Sequence, residues 1–446
     1  MYLKRKIDSF LKDWKEYGDR KPLIIKGPRQ IGKTESIRHF AETNYESIVE
    51  INFVTDPKYR MITEDGYGAD AIIRNISLLN NEFRFIPGHT LLFFDEIQKF
   101  PDIATSLKFF KEDGRYDVVC SGSLLGINYQ EIESNSVGFK DDYDMYSMDF
   151  EEFLWAKGYQ NEMKDELLSH MVQLTPLSSV ERTVWSSLFM DYCILGGMPA
   201  VVKSYIEKGT FEGILTIQRQ LLLDYEEDIM KYTEGLEKTR TLSVYRSIPA
   251  QLAKENKKFQ YSKVARSARA REYQGCVEWL ENSGIVKACH CMNFPELPVK
   301  GNLDPDVFKL YYCDTGLLVA SLDEESQEDL RANRNFGVYK GALYENIAAE
   351  ALYKSGAVLC YYRKEDGTLE EDFFIRNSDS LIPVEVKAQK GNSSSLSRLI
   401  NDEKYSDIHF GVKLHAGNIG DNEHIFTFPW YCAFLLREWA RNQAKL

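Results

Sequence analysis

Gly27, Gly32, Lys33 and Thr34 stand at the spacing G-x-x-x-x-G-K-[ST], with the apolar run Leu23 to Ile25 before them and a helical pattern after them. Residues of these types at this spacing suit a phosphate chain. Backbone N–H groups of a glycine-bracketed turn, and of the helix it feeds, face an anion; a lysine reaches the outer phosphates; a hydroxyl ligates magnesium. The candidate nucleotide-binding segment is Gly27, Pro28, Arg29, Gln30, Ile31, Gly32, Lys33, Thr34 and Glu35, with Lys33 on the β- and γ-phosphates and Thr34 on the metal.

Such a site needs a second half, an acid at the tip of an apolar strand. "TLLFFDEIQ" supplies Asp95 with Glu96 directly behind it. Asp95 would hold the magnesium, directly or through water, while Glu96, not needed for the metal, can polarise an attacking water. A nucleotide switch needs only the first acid, so Glu96 favours hydrolysis over the plainer reading of an acid-rich helix N-terminus. The next strand, "YDVVCSG", leads to Ser121 and Ser123, where a small polar side chain could sense the γ-phosphate or equally cap a turn.

A second constellation lies further on: Glu345 in an expected helix, Asp372 at the start of "DFFI", and Glu385 with Lys387 in "VEVK". Residues two apart on a strand face the same way, and Asp372 on a paired strand could join them. Two carboxylates can hold magnesium, and a lysine beside them can stabilise developing phosphoryl charge. The arrangement resembles the PD-(D/E)XK nuclease core. That resemblance implies metal-assisted phosphodiester hydrolysis, with Asp372 and Glu385 as metal ligands, Lys387 as the catalytic electrostatic partner and Glu345 as a further candidate ligand. Glu371 beside Asp372 leaves the register open, because adjacent strand residues point to opposite faces. The acids could also persist as a sheet-stabilising network without cleavage.

The elements that must position these groups are legible in outline. At 446 residues with 43% hydrophobic and 13% aromatic content, the chain can bury more than one core, and two or three domains are expected. "PLIIK", "SIVEINF", "TLLFFDE", "YDVVCSG" and "YDMYSM" alternate with helical patterns, which implies a parallel sheet covered by helices on both faces. From about Asp149 to Tyr232 the pattern is mostly helical, broken by "LGGMPAVV". "FQYSKVARSARAREYQGCVEWLENSGIVKACH" then reads as two short helices and a strand, the order of a helix-turn-helix with a wing, with Ser262 capping the first helix. Asp323 to Asn335 reads as a loop, followed by a helix from about Ala342 and strands at "AVLCYYR", "EDFFIR" and "LIPVEVK".

Charge and composition narrow the partners. A formal net charge of -13 argues against broad nonspecific nucleic-acid binding, although a local patch could still do it. Lys254 to Arg271 holds seven basic residues against one acid, and Lys263, Arg266, Arg269 and Arg271 are its candidate DNA contacts. They could instead pair with the acids Glu226, Glu227 and Asp228. The eight cysteines are scattered, and Cys289, His290 and Cys291 are too crowded for usual zinc spacing, so buried strand cysteines are expected. No stretch approaches ~20 apolar residues and charges interrupt the N-terminus, so neither a membrane span nor a signal peptide is expected and the chain reads as cytoplasmic.

"GPRQIGKT", "LLFFDEIQKFPDIATSLKFF", "SGSLL", "MDFEEFL" and "YCILGGMPAVV", in this order, resemble the AAA-type (AAA+) ATPases of bacteria and archaea that carry a C-terminal domain of uncharacterised function. "YSKVARSARAREYQGCVEWLENSGIV", "FKLYYCDTGLL" and "GALYENIAAEAL" extend the likeness over nearly the whole chain. The resemblance implies an α/β fold: a RecA-like P-loop NTPase core over 1–150, a helical lid over 151–240, a winged helix over 241–322 and a restriction-endonuclease-like α/β domain over 335–446. It implies ATP and Mg2+ as cofactors, a nucleotide cycle that moves the winged helix and the nuclease-like domain, DNA or a protein as partner, and a capacity to oligomerise. The alternative is a nucleotide-gated interaction module with little catalysis. Relatives usually carry Gly-Arg shortly after the sensor strand, whereas this chain reads "SVGFKDDYD", with Phe139 after Gly138. An arginine finger is worth about 10³ to 10⁵ in rate, so basal turnover without one is expected to be slow. Arg115, Arg240 and Arg246 are the candidates for that role.

Overall fold

Apolar runs without polar alternation, such as "TLLFFD", need cover on both faces, and the first unit of the protein provides it. The computed structural model describes residues 1–123, 136–233, 235–254, 257–266, 268–322, 324–332, 337–388 and 393–443. These divide into two compact units, Met1–Ser147 with Asn282–Gly284, and Met148–Glu281 with Ile285–Leu446.

The first unit runs α1 (Lys6–Glu16), β1 (Leu23–Gly27), α2 (Lys33–Asn44), β2 (Ser47–Asn52), α3 (Ala69–Leu79), β3 (Thr90–Asp95), α4 (Ile103–Asp113), β4 (Asp117–Ser123) and β5 (Asp141–Asp144). Its sheet is parallel throughout in the order β2-β3-β4-β1-β5. Ile24, Val49, Ile51, Leu92, Phe94, Val118 and Cys120 line one face and pack with Ile72 and Ile76 of α3 and Ile103, Leu107 and Phe110 of α4. The alternate residues Leu23, Ile25, Leu91, Phe93 and Val119 are buried too, and α2 packs on β1, β3 and β4. Each fully buried phenylalanine contributes about 1.5–3 kcal/mol. The fifth strand falls at Asp141–Asp144, upstream of most of "YDMYSM": the ladder with β1 sets Ile24 opposite Asp142 and Lys26 opposite Asp144, and the Lys26 ammonium pairs with the Asp142 carboxylate at 3.0 Å.

The second unit begins with the helices α5 (Phe150–Ala156), α6 (Asn161–Gln173), α7 (Ser179–Leu195), α8 (Pro199–Lys208), α9 (Ile214–Tyr232), α10 (Gly235–Leu252), α11 (Tyr261–Val264) and α12 (Ala270–Asn282). It continues with β6 (Val286–Met292), β7 (Leu303–Tyr312), α13 (Thr315–Ala320), α14 (Glu324–Arg331), α15 (Gly337–Lys354), β8 (Cys360–Arg363), β9 (Glu370–Glu371), β10 (Phe373–Arg376) and β11 (Leu381–Val386). The remainder is α16 (Ser394–Asn401), β12 (Gly411–His415), β13 (Gly420–Asn422), β14 (Ile425–Pro429) and α17 (Leu436–Gln443). One sheet has the order β7-β6-β8-β9 and the other β10-β11-β12-β14-β13. The antiparallel β6–β7 pair, expected as a wing, is therefore extended by β8, which lies parallel to β6 and beyond the boundary expected between 322 and 335.

Two local expectations are corrected. Gln260, not Ser262, stands at the N-cap of α11, and no side chain caps that single turn. The stretch expected as a loop over 323–335 contains α14, whose Leu330 is buried against Ile194, Val319 and Leu343; residues 323 and 333–335 lie outside the described residues.

The "LGGMP" and "CDTGL" stretches interlock. Gly197 N–H donates to Asp314 at 2.8 Å, and Asp314 also caps α13. A Cβ at Gly197 would stand 1.8 Å from the Met148 carbonyl oxygen, so only glycine admits this approach. From α15, Asn346 accepts from Tyr312 N–H at 2.9 Å, and Glu350 accepts from Thr315 N–H at 2.7 Å and from the Tyr192 hydroxyl at 2.6 Å. These motifs thus build the core of the second unit.

Candidate functional sites

In the first unit, β1 delivers the chain at Gly27 (φ 156), where a Cβ would stand 2.2 Å from the Met145 carbonyl oxygen. Gly32 opens α2, Ile31 is buried beneath the turn, Pro28 is buried, Arg29 is partly exposed, and Gln30 and Glu35 are exposed. Arg5, at the N-cap of α1, braces the turn from behind by donating to the carbonyls of Ile31 and Tyr146, both at 2.7 Å. Lys33 is folded inward and donates to the carbonyls of Gly27 at 3.0 Å and Pro28 at 2.6 Å. Burial lowers its pKa to about 8.

Thr34 donates to Asp95 Oδ2 at 3.1 Å, so the start of α2 meets the tip of β3. Asn52, ending β2, donates to the same oxygen at 3.0 Å, and Ser121 donates to Oδ1. Glu96 adopts the left-handed region (φ 57), a conformation that non-glycine residues hold only when their surroundings impose it. Gln98 imposes part of it, donating from Nε2 to Glu96 and to Ser123 Oγ, the latter at 3.1 Å. Arg29 stands 4.0 Å from Glu96. The sequence reading missed Asn52, Gln98 and Arg5. A polar residue at the tip of the strand next to β3 was the available signal for the first; nothing local marked the others.

In the second unit the expected constellation separates into two parts. Glu345 of α15 accepts from Lys257, from Tyr311 and from Lys309 at 3.1 Å. Burial would raise its pKa, but the two lysines hold it down to about 2. Both Glu345 oxygens are therefore engaged by protein donors. Lys309, buried in β7, also lies 3.3 Å from Glu370 and 4.0 Å from Asp372. Asp372 accepts from Val386 N–H at 2.9 Å; burial, and then Glu345, push its pKa up to about 6. Glu385 pairs instead with Lys387 at 2.7 Å, and the neighbouring Glu371 is fully buried with its pKa raised well above the ordinary range by burial and by Glu385. Lys309 went unread, and Lys257 was read only as part of the basic run, because Glu345 is remote from both in sequence.

Lys263, Arg266, Arg269 and Arg271 are all exposed, and none joins an ion pair among the described residues. Glu226 is occupied by Arg246 at 2.5 Å, Arg240 faces Glu272 at 3.6 Å, and Arg115 pairs with Asp70 and with Asp113 at 2.6 Å. Each arginine-finger candidate thus has an acidic partner. Cys289 and Cys291 are buried in β6, and all eight cysteines are free thiols. No helix among the described residues is long and apolar enough to cross a membrane.

Residues 19–154 match the family described as an AAA domain. These residues form an AAA-type P-loop domain. Residues 186–328 and 340–431 match two domains of unknown function, DUF8612 and DUF4143. No curated protein matches the chain. Among solved structures, the chain is similar to C. elegans PCH-2 (TM-score 0.27, 11% identity), covering 45% of this chain and 59% of that one. It is also similar to the Aeropyrum pernix ORC1 protein in complex with DNA (TM-score 0.28, 10% identity, 74% of this chain and 91% of that one). A third is the Thermotoga maritima RuvB Holliday junction branch migration motor (TM-score 0.28, 14% identity, 63% of this chain and 87% of that one). The chain spans 59% of the PCH-2 chain, and identities this low carry no function across.

Proposed function

We propose that the AAA-type domain binds ATP with magnesium and hydrolyses it. The observation that carries this reading is the meeting of Thr34 and Asp95 at 3.1 Å, with Glu96 held beside them by Gln98. A hydroxyl and a carboxylate converging there form an oxygen donor set that fits a hard divalent cation, and Thr34 and Asp95 would hold it. The ion supplies charge neutralisation at the outer phosphates when bound. Lys33 would leave the carbonyls of Gly27 and Pro28 for the β- and γ-phosphates, Ser121 and Ser123 would report the γ-phosphate, and Glu96 would orient the attacking water and accept its proton.

Isothermal titration with ATP and magnesium tests binding, and Lys33→Ala should abolish it. Glu96→Gln should keep binding and lower kcat by about 10² to 10⁴. A wild-type chain that binds no ATP, or turnover untouched by Glu96→Gln, sinks the proposal.

The pairing of Arg115, Arg240 and Arg246 with acids favours slow turnover, and so lends weight to the alternative of a nucleotide-gated interaction module. Tight ATP binding with negligible hydrolysis would select it.

For the second unit we propose a helical lid over 151–240, a winged helix over 241–322 and a nuclease-like region over 335–446. The α10 to α12 helices followed by the β6–β7 pair support the winged helix, and the order α15, β8, β10, β11, α16, β12, with β11 parallel to β12, supports the nuclease-like region. Incubation with plasmid and linear DNA plus magnesium or manganese, alongside Asp372→Ala and Lys387→Ala, tests cleavage. Activity that persists in both variants counts against it.

A further inference from the structure

The second unit holds a cavity of about 290 Å³ that neither the ATPase nor the nuclease-like reading uses. Val299, Cys360 and Phe374, members of one buried apolar cluster, form its floor, and Val358, 40% exposed, stands on its wall. These residues come from the β6–β7 connection, the α15–β8 turn, β8 and β10, and α17 closes the ring with Arg437. The walls are fixed without a ligand. Leu297 N–H donates to Asp407 at 2.8 Å just ahead of the β6–β7 wall, and a Cβ at Gly356 would stand 2.5 Å from Arg437 Nη1, so Arg437 lies directly over that turn.

The chain carries 68 acids against 55 lysines and arginines, yet among the described residues three cations and no acid line this cavity. Lys300 and Arg376 are exposed at its mouth and Arg437 is half-buried, and none of the three joins an ion pair among the described residues. Arg376 Nε donates to the Asn377 carbonyl at 3.0 Å, and Arg437 Nη1 to the Ser355 carbonyl. Each guanidinium is thus held by one nitrogen, and its other N–H groups are left for a ligand. Burial, and then Arg441, pull the Arg437 pKa down, as befits a cation whose charged neighbour is another cation. The space sits at the lower edge of small-molecule pockets, about 300–1,000 Å³, and admits about ten non-hydrogen atoms at the ~30 Å³ that a water takes in the liquid. That is too little for a nucleoside triphosphate or a folded segment of another chain. A bare inorganic anion, in turn, would leave the apolar floor uncovered.

We propose that this cavity binds a small amphipathic anion: a carboxylate or phosphate head held by Lys300, Arg376 and Arg437, on a short aliphatic or single-ring body packed against Val299, Cys360 and Phe374. Guanidinium forks suit such heads because two parallel N–H groups meet two oxygens. A bound ligand would stitch the β6–β7 connection to β8, β10 and α17, which are remote from it in sequence. Such binding depends on neither ATP hydrolysis nor DNA cleavage.

The full chain is titrated calorimetrically with octanoate, whose size matches the cavity, and with phenyl phosphate, the latter in a Lys33→Ala background that removes the P-loop. One site is expected for at least one of them, and the tighter ligand names the head group. Binding should weaken about tenfold or more in Arg376→Ala and in Arg437→Met, because each loses hydrogen bonds to a charged head. Val358→Trp should block the cavity from its exposed wall, and octylamine, a similar body with the opposite charge, should bind at least about tenfold more weakly than octanoate. Circular dichroism confirms that each variant is folded, and the bound ligand should raise the melting temperature of the wild type but not of the combined Arg376→Ala, Arg437→Met chain. No binding of either ligand at millimolar concentration overturns the proposal, as does binding that survives the combined variant. Octylamine bound as tightly as octanoate would leave only an apolar hole, and inorganic phosphate bound as tightly in the Lys33→Ala background would leave only a surface anion patch; either result overturns it. A labelled duplex that displaces octanoate would overturn it too, by assigning the mouth to a nucleic-acid backbone.

Discussion

Glu96 can act as a base only if its carboxylate is aimed, and its left-handed backbone leaves the aim to side-chain contacts. Gln98 supplies the contact by bonding Glu96 and Ser123 with the same amide nitrogen. Gln98→Leu keeps the volume and removes the donor. It is expected to lower kcat for ATP about tenfold, a part of the 10² to 10⁴ that a positioned base contributes, while KM stays unchanged. Steady-state kinetics make the check; an equal rise in KM with kcat intact would mean that Gln98 serves binding rather than the base. Arg5 acts one layer behind. Its two hydrogen bonds to carbonyls fix the back of the phosphate turn, and bonds to a charged group are worth about 1.5–3 kcal/mol each. Arg5→Ala should therefore weaken ATP binding while leaving Lys33, Thr34 and Asp95 in place, a loss that titration calorimetry would read.

Elements were legible where one physical signal dominated. β1 to β4 follow from apolar runs, and the turn into α2 from its glycines, so the meeting of Thr34 with Asp95 could be anticipated before any coordinates. α14 was hidden because its sequence is mostly polar; among its described side chains Gln327 and Leu330 are buried. The α15 acids were misread for a different reason. Glu345 looks like a free carboxylate in sequence, and Lys257, Lys309 and Tyr311, which neutralise it, stand on α11's approach and β7, far away along the chain. This yields a prediction. A carboxyl held at about 2 in the folded state, against an ordinary 4.5, adds stability that is complete above about pH 4.5 and drains away as pH falls toward 2. Glu345→Gln should cost about 3–5 kcal/mol near neutrality, because it leaves Lys257 without its acid and takes from the buried Lys309 the nearest of its three. The gap from wild type should narrow as the solution is acidified through that window, as chemical denaturation at several pH values would show. A gap that widens on acidification would mean that Glu345 is not held ionised. Gly197→Ala tests the other clasp in this unit: with 1.8 Å to the Met148 oxygen, it should lose stability at the upper end of about 1–3 kcal/mol.

For the whole molecule, charge sets the terms of any encounter with nucleic acid. A net charge of -13 repels a polyanion at long range, so the chain cannot bind DNA as a diffuse cation and must do it through a patch. Lys263, Arg266, Arg269 and Arg271 offer one, exposed and without acidic partners among the described residues, whereas Lys257 in the same basic run is consumed by Glu345. Four phosphate contacts release about four counterions, so log K against log salt should fall with a slope of about -3 to -4. Fluorescence anisotropy with a labelled duplex across a salt series measures that slope. Arg266→Glu with Arg269→Glu should remove binding without disturbing ATP binding. A slope near zero, or binding indifferent to the charge reversal, would take DNA out of the account and leave a protein partner. If the slope appears and ATP turnover also rises when duplex is added, the basic patch and the P-loop act in one cycle. Turnover that ignores DNA while binding persists would mean that the two work separately.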